Sequence, residues 1–120
     1  MNGAIQTYQE HAVTTQTRGR LVVLLYDGAI KFLEQAKREL AAGHFAEKGT
    51  YINKALAILN ELDACLDMEK GGEVAANLRR LYQFMIRHLN EANVQRDAQR
   101  IQDVIDCLQD LNEGWKAITD

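Results

Sequence analysis

The chain carries 3 histidines, 2 cysteines and 17 carboxylates against 14 lysines and arginines, and their spacing decides which chemistry they can perform. A di-iron carboxylate centre in a helical protein needs Glu-x-x-His on facing helices. The chain offers the reverse order, His44-x-x-Glu47 at a helix junction and His88-x-x-Glu91 at a helix end, with neither pair on an apolar face. No metal site and no cofactor are expected. Phosphoryl transfer needs an exposed mid-helix histidine, and His88 is the one candidate, in Arg87-His88-Leu89-Asn90-Glu91. The Lys and Gly that follow the histidine of known phosphotransfer modules are missing, and Glu91 has the wrong sign to sit beside a phosphate. Cys65 and Cys107 fall in helical apolar patterns and read as small buried hydrophobes rather than a disulfide. No nucleophile elbow, phosphate loop or Cys/His cluster appears in the sequence.

The elements that would position a binding surface are more informative. Leu21 to Ile30 is apolar nearly all round, and helical spacing continues through Phe32, Leu33, Ala36 and Leu40. On that helix Arg20, Asp27, Lys31, Glu34 and Arg38 form a polar stripe, with Leu24 in its middle and Val23 at its edge. Such a helix must be covered on more than one side. Tyr26, an aromatic with a polar tip, precedes Asp27 and Gly28 and lies beside this surplus apolar surface. For the pair itself, the simpler account is a solvated Asp27 and a glycine that lets helices approach closely.

The first helix is expected to start near Thr17 and end at Gly43, leaving residues 1–16 as a loosely structured arm that carries Ile5, Tyr8 and Val13. A second helix runs through Phe45, Ile52, Ala55, Leu59, Leu62 and Leu66 and stops before Gly71-Gly72. The third places Val74, Ala75, Leu78, Leu81, Tyr82, Met85, Ile86 and Leu89 on one face, with Phe84 at the polar margin. A short break is expected at residues 90–95. The fourth carries Ile101, Val104, Ile105, Leu108, Leu111, Trp115 and Ile118. Short connections force antiparallel neighbours, so the fold class is all-α: an up-down-up-down four-helix bundle over 17–120.

At 120 residues, 47% hydrophobic and 26% charged, without proline, the chain fits one globular helical domain. A net charge of −3 disfavours a nucleic-acid partner. No signal peptide and no membrane-spanning run is seen, so a cytoplasmic location without membrane insertion is expected.

Leu25-Tyr26-Asp27-Gly28-Ala29-Ile30 resembles the signature of the FliS family, the flagellin-specific export chaperones of bacteria. Further stretches match in the same order. Tyr8, Lys54-Ala55, Ile58-Leu59 and Leu62 are followed by Leu66-Asp67-Met68-Glu69-Lys70-Gly71-Gly72-Glu73-Val74-Ala75 and Asn77-Leu78. Leu81-Tyr82, Met85, Glu91-Ala92-Asn93, Asp97 and Trp115 complete the series. One departure is Thr17-Arg18-Gly19-Arg20, where family members commonly have Ser/Thr-Pro-Glu. The resemblance implies a non-enzymatic bundle that binds the disordered C-terminal segment of flagellin, prevents premature polymerisation and assists delivery to the flagellar export apparatus. It also implies that the arm covers part of the client surface until the client arrives. Ile5, Tyr8, Val23, Leu24, Tyr26, Asp27 and Phe84 are the expected partner-binding residues. The alternatives are a self-associating structural or adaptor bundle, with a homodimer as partner, and a histidine phosphotransfer domain.

Overall fold

With no proline to remove a backbone donor and strong helix formers throughout, each segment can run as an unbroken helix. The computed structural model describes the backbone of residues 3–119 and the side chains of residues 19–118. Its helices are α1 (Gly3–Ala41), α2 (Phe45–Ala64), α3 (Gly72–Gln95) and α4 (Ala98–Thr119). Each packs on its neighbours in the chain and α4 returns to α1, while among the described residues the diagonal pairs α1/α3 and α2/α4 make no close backbone approach. The expected all-α four-helix bundle is found.

The turns follow from local chemistry. Gly43 has φ +79°, the His44 N–H donates to the Glu39 carbonyl at 2.8 Å and the Gly43 N–H to the Leu40 carbonyl at 3.1 Å. These paired bonds satisfy the last carbonyls of α1. Between α2 and α3, Asp67 Oδ1 accepts from the backbone N–H of Glu69 and Lys70 at 3.1 and 2.9 Å, which curls the loop towards Gly71. A Cβ on Gly71 would lie 2.6 Å from the Ala75 Cβ, and Gly72 has φ +53°, so both glycines are required by the reversal.

Two expected boundaries are corrected. The first helix starts at Gly3 rather than Thr17: the stretch Thr17-Arg18-Gly19-Arg20 contains no proline, so nothing in it stops a helix from continuing towards the N-terminus. The break expected at residues 90–95 is helical, and α3 ends at Gln95. Ala92 is fully buried and holds this last turn on the bundle. The reversal falls on Arg96 instead, at φ 54°, a conformation that costs a non-glycine residue roughly 1–2 kcal/mol. Its guanidinium lies 3.7 Å from the Phe45 ring centroid, a cation–π contact that offsets part of this cost. At the same end Lys48, nearly fully buried, donates to the Asn93 carbonyl at 2.9 Å and to its side-chain oxygen. Burial lowers the Lys48 pKa from its ordinary value.

The core contains Leu33, Ile52, Leu59, Met85, Leu89, Ile101, Val104, Ile105 and Leu108, all fully buried. Tyr26 belongs with them. Its ring is fully buried, and its hydroxyl lies 2.6 Å from that of Tyr82 across the α1/α3 diagonal. The Trp115 indole N–H of α4 donates to the Tyr26 oxygen at 3.3 Å. Tyr26, expected at a partner surface, is enclosed within the bundle. Cys65 is also corrected. It is exposed, Cys107 is half-buried, and both are free thiols.

Core truncation should be costly. Leu59→Ala and Leu108→Ala are expected to lose roughly 2–5 kcal/mol, and Tyr26→Ala roughly 3–5 kcal/mol, in denaturant titration. Unchanged midpoints would show that these faces are misplaced.

The glycines give an opposite-signed pair. A Cβ on Gly28 would meet Ile58 Cδ1 at 3.5 Å, an ordinary contact, so Gly28→Ala should gain about 0.5–1 kcal/mol of helix propensity. Gly71→Ala should lose at least about 1 kcal/mol to overpacking. Thermal melts of the two variants check the contrast, and equal shifts would refute it.

Candidate functional site

Antiparallel pairing sets Ile58 of α2 beside Gly28 of α1. From there α2 runs only to Ala64, while α1 continues towards Gly3. Leu21, Val22 and Leu25 therefore face the end of α2 and the loop after it rather than a full helix. The result is a groove of about 820 Å³ at this end of the bundle. Leu62 and Leu66 form one wall, Val74, Ala75 and Leu78 of α3 another, and Tyr82 and Trp115 also line it. Leu21 and Val74, 51% and 67% exposed, stand at the rim. Val74 was expected in the core face of α3, but at the first turn of that helix no neighbour covers it.

The charged residues among those lining the groove are Glu61 and Asp67, both acidic. Glu61 Oε1 accepts from the Cys65 thiol at 3.5 Å. That hydrogen bond raises the thiol pKa above its ordinary value and keeps Cys65 as the neutral acceptor or donor at the groove edge. A surface this apolar, with acidic margins, suits a segment that presents an apolar face and no negative charge.

The other expected partner-binding residues do not form one patch. Leu24 is 67% exposed and points out from α1, away from the core, and Val23 is half-buried beside it. Phe84 is 42% exposed but sits on α3, diagonal to α1, where its ring stacks on His88 with centroids 4.9 Å apart. Asp27 ties α1 to α4: its Oδ1 accepts from Asn112 Nδ2 at 2.7 Å, with Lys116 Nζ 3.8 Å away. The side chains of Ile5 and Tyr8 lie outside the described residues. The groove itself was missed by sequence reasoning except for Tyr82 and the leucines assigned to the core. An available signal was the unequal length of the helices, together with the glycine pair that ends the α2–α3 loop.

His88 is held by structure rather than offered to solvent. Arg100 can only donate, so its contact with His88 Nδ1 at 3.3 Å makes that nitrogen the acceptor and Nε2–H the donor to Asp103 Oδ2 at 2.9 Å. Arg100 also pairs with Glu91 at 2.5 Å. This ring of contacts fixes the α3/α4 junction and leaves neither ring nitrogen available as a nucleophile. His44 pairs with Glu39 at 2.9 Å. Among the described residues no group of three or more His, Cys, Asp and Glu side chains converges as a metal site, and no helix is long and apolar enough to cross a membrane.

The family model described as flagellar protein FliS matches residues 1–120. The flagellar secretion chaperone FliS of Salmonella typhimurium is 43% identical over 115 residues, covering 95% of this chain and 85% of that protein. The flagellar secretion chaperone FliS of Vibrio cholerae is 36% identical, over 98% of this chain and 90% of its own length. The flagellar secretion chaperone FliSB of Pseudomonas aeruginosa is 37% identical, over 97% and 95%. With a match that spans every element of the bundle, the chain belongs to the FliS family of flagellar secretion chaperones.

Proposed function

We propose that this protein is a cytoplasmic, non-enzymatic chaperone that receives the disordered C-terminal segment of flagellin in the groove at the α2–α3 end of the bundle. The observation that carries the reading is the groove itself: about 820 Å³ of largely apolar space between α1 and α3, with Leu21 and Val74 standing exposed at its rim. Family membership supplies the class of client. A disordered segment folds on binding only if buried apolar area exceeds the entropy of ordering it, and a preformed bundle groove provides that area.

In this reading the bundle acts by occupancy. While the C-terminal segment is held in the groove it is unavailable to neighbouring flagellin subunits, so early polymerisation is blocked, and the complex is the form handed to the flagellar export apparatus. No bond is made or broken, and release needs only competition for the same apolar segment. Weak margins of the groove help here. Its acidic edge, Glu61 and Asp67, favours clients without carboxylates at that position.

Calorimetric titration of the full chain with a flagellin C-terminal peptide tests the assignment. Leu21→Asp and Val74→Asp should weaken binding at least about tenfold, because a charge is then desolvated against an apolar partner. Both should melt within a few degrees of wild type, as exposed substitutions usually do. Phe84→Asp, on α3 but outside the groove lining, where its ring stacks on His88, should bind like wild type. Wild-type affinity in both rim variants would remove the groove as the client site.

A further inference from the structure

Gly28 lies in the interior of α1, where glycine weakens a helix relative to alanine and therefore needs a reason. The bundle does not supply one. Its backbone is ordinary helix, with no positive φ that only glycine adopts readily. Close approach of α2 does not require it either, because an added Cβ would meet Ile58 Cδ1 at 3.5 Å, an ordinary contact.

The surroundings of Gly28 on its open side are apolar. Leu21, Leu24, Leu25 and Gly28 stand at i, i+3, i+4 and i+7, the four corners of a hole on one face of a helix. Leu21 and Leu24 are exposed, and Leu25 and Gly28 are half-buried. The missing side chain at the fourth corner deepens the hole, and Ile58 of α2 bounds it on one side. Leu21 and Leu25 also line the groove, so the hole opens directly from it along α1. Nearby charges are engaged elsewhere. Asp27 accepts from Asn112 of α4, and Lys54 of α2 lies over Phe32 and Tyr51, 5.5 Å from each ring centroid. Gly114 of α4 has open space beside it as well, but its hole is made by Cys107, Asp110, Leu111 and Gly114, with a carboxylate at one corner.

We infer that the flagellin segment extends from the groove onto α1 and seats one bulky aliphatic side chain in the hole formed by Leu21, Leu24, Leu25 and Gly28. The inference rests on that segment occupying the groove. Continuity through Leu21 and Leu25 makes the client the occupant of the hole. Recognition there is by shape, since the α1 backbone is already bonded within the helix and a polar client residue would be desolvated without a partner. Gly28 is thus a specificity-determining residue: it sets the size of the side chain that fits. Leu24, exposed and surplus to the core, is a wall of the same hole.

The test compares Gly28→Ala with Gly114→Ala in the full chain, by thermal melt and by calorimetric titration with the flagellin C-terminal peptide. Both substitutions favour the helix and should raise the melting temperature. At Gly28 the added methyl group occupies the hole, so affinity should fall at least about fivefold, while Gly114→Ala stays within about twofold of wild type. A melt that rises while affinity falls is a combination that a purely structural glycine does not give. Wild-type affinity in Gly28→Ala, or equal losses in both variants, overturns the inference. So does a change from dimer to monomer in Gly28→Ala by light scattering with peptide affinity unchanged, which would make a second copy of the chain the occupant. Absence of binding by the wild type would instead overturn the client assignment, and the inference with it. Intermolecular NOEs in the wild-type complex need no variant to fold: the Gly28 Hα protons should show cross-peaks to methyl groups of a ¹³C-labelled peptide. Absence of those cross-peaks in a saturated complex would overturn the inference.

Discussion

The bundle is built from helices of unequal length, and that inequality governs the rest of the structure. α1 spans 39 residues and α2 only 20; at 1.5 Å per residue the first is about 58 Å long and the second about 30 Å. Antiparallel packing can match them at one end only. At the α1–α2 turn the match is made, and the junction is sealed by Arg96 over Phe45 and by Lys48 on Asn93. The mismatch is carried to the other end, where α1 has apolar residues facing an α2 that has stopped. The groove is a consequence of chain lengths and needs no special residue to open it.

A polar centre next to that groove requires a reason, because an apolar pair would pack the diagonal without the cost of desolvating two hydroxyls. Tyr26 and Tyr82 reach each other from diagonal helices, with Trp115 closing the set from α4. Three helices are thereby tied at one level by directional bonds, which fixes their relative rotation more tightly than apolar packing alone. The same tie holds Tyr82 and Trp115 in place on the groove wall, so core geometry and site geometry are set together.

Much of this was legible in the sequence because burial follows helical period. The stripe through Ile52, Ala55, Leu59 and Leu62 is the buried face of α2, and Leu24 and Phe84, read as surplus to the core, are indeed exposed. Periodicity could not tell that those two lie on diagonal helices, since face and neighbour are separate facts and only the second requires three dimensions. Tyr26 was read as a partner contact because it lies beside the surplus apolar surface of α1, yet its ring is fully buried and its hydroxyl finds partners contributed by α3 and α4. The final turn of α3 was missed for a related reason: Asn90 and Asn93 are weak helix formers, but Ala92 is buried and Asn93 receives Lys48, so tertiary contacts override propensity. Val74 shows the converse, an apolar residue in perfect register that no helix is long enough to cover.

That a flagellin segment occupies this end of the bundle can be examined without altering the protein. In a methyl-labelled sample titrated with the flagellin C-terminal peptide, the methyl resonances of Leu21, Val22, Leu25, Leu62, Leu66, Val74 and Leu78 should shift or broaden together. Those of Ile101 and Val104, at the opposite end, should stay where they are. Perturbation confined to Ile101 and Val104, or to the outward-facing Leu24 with the groove methyls unmoved, would contradict the account.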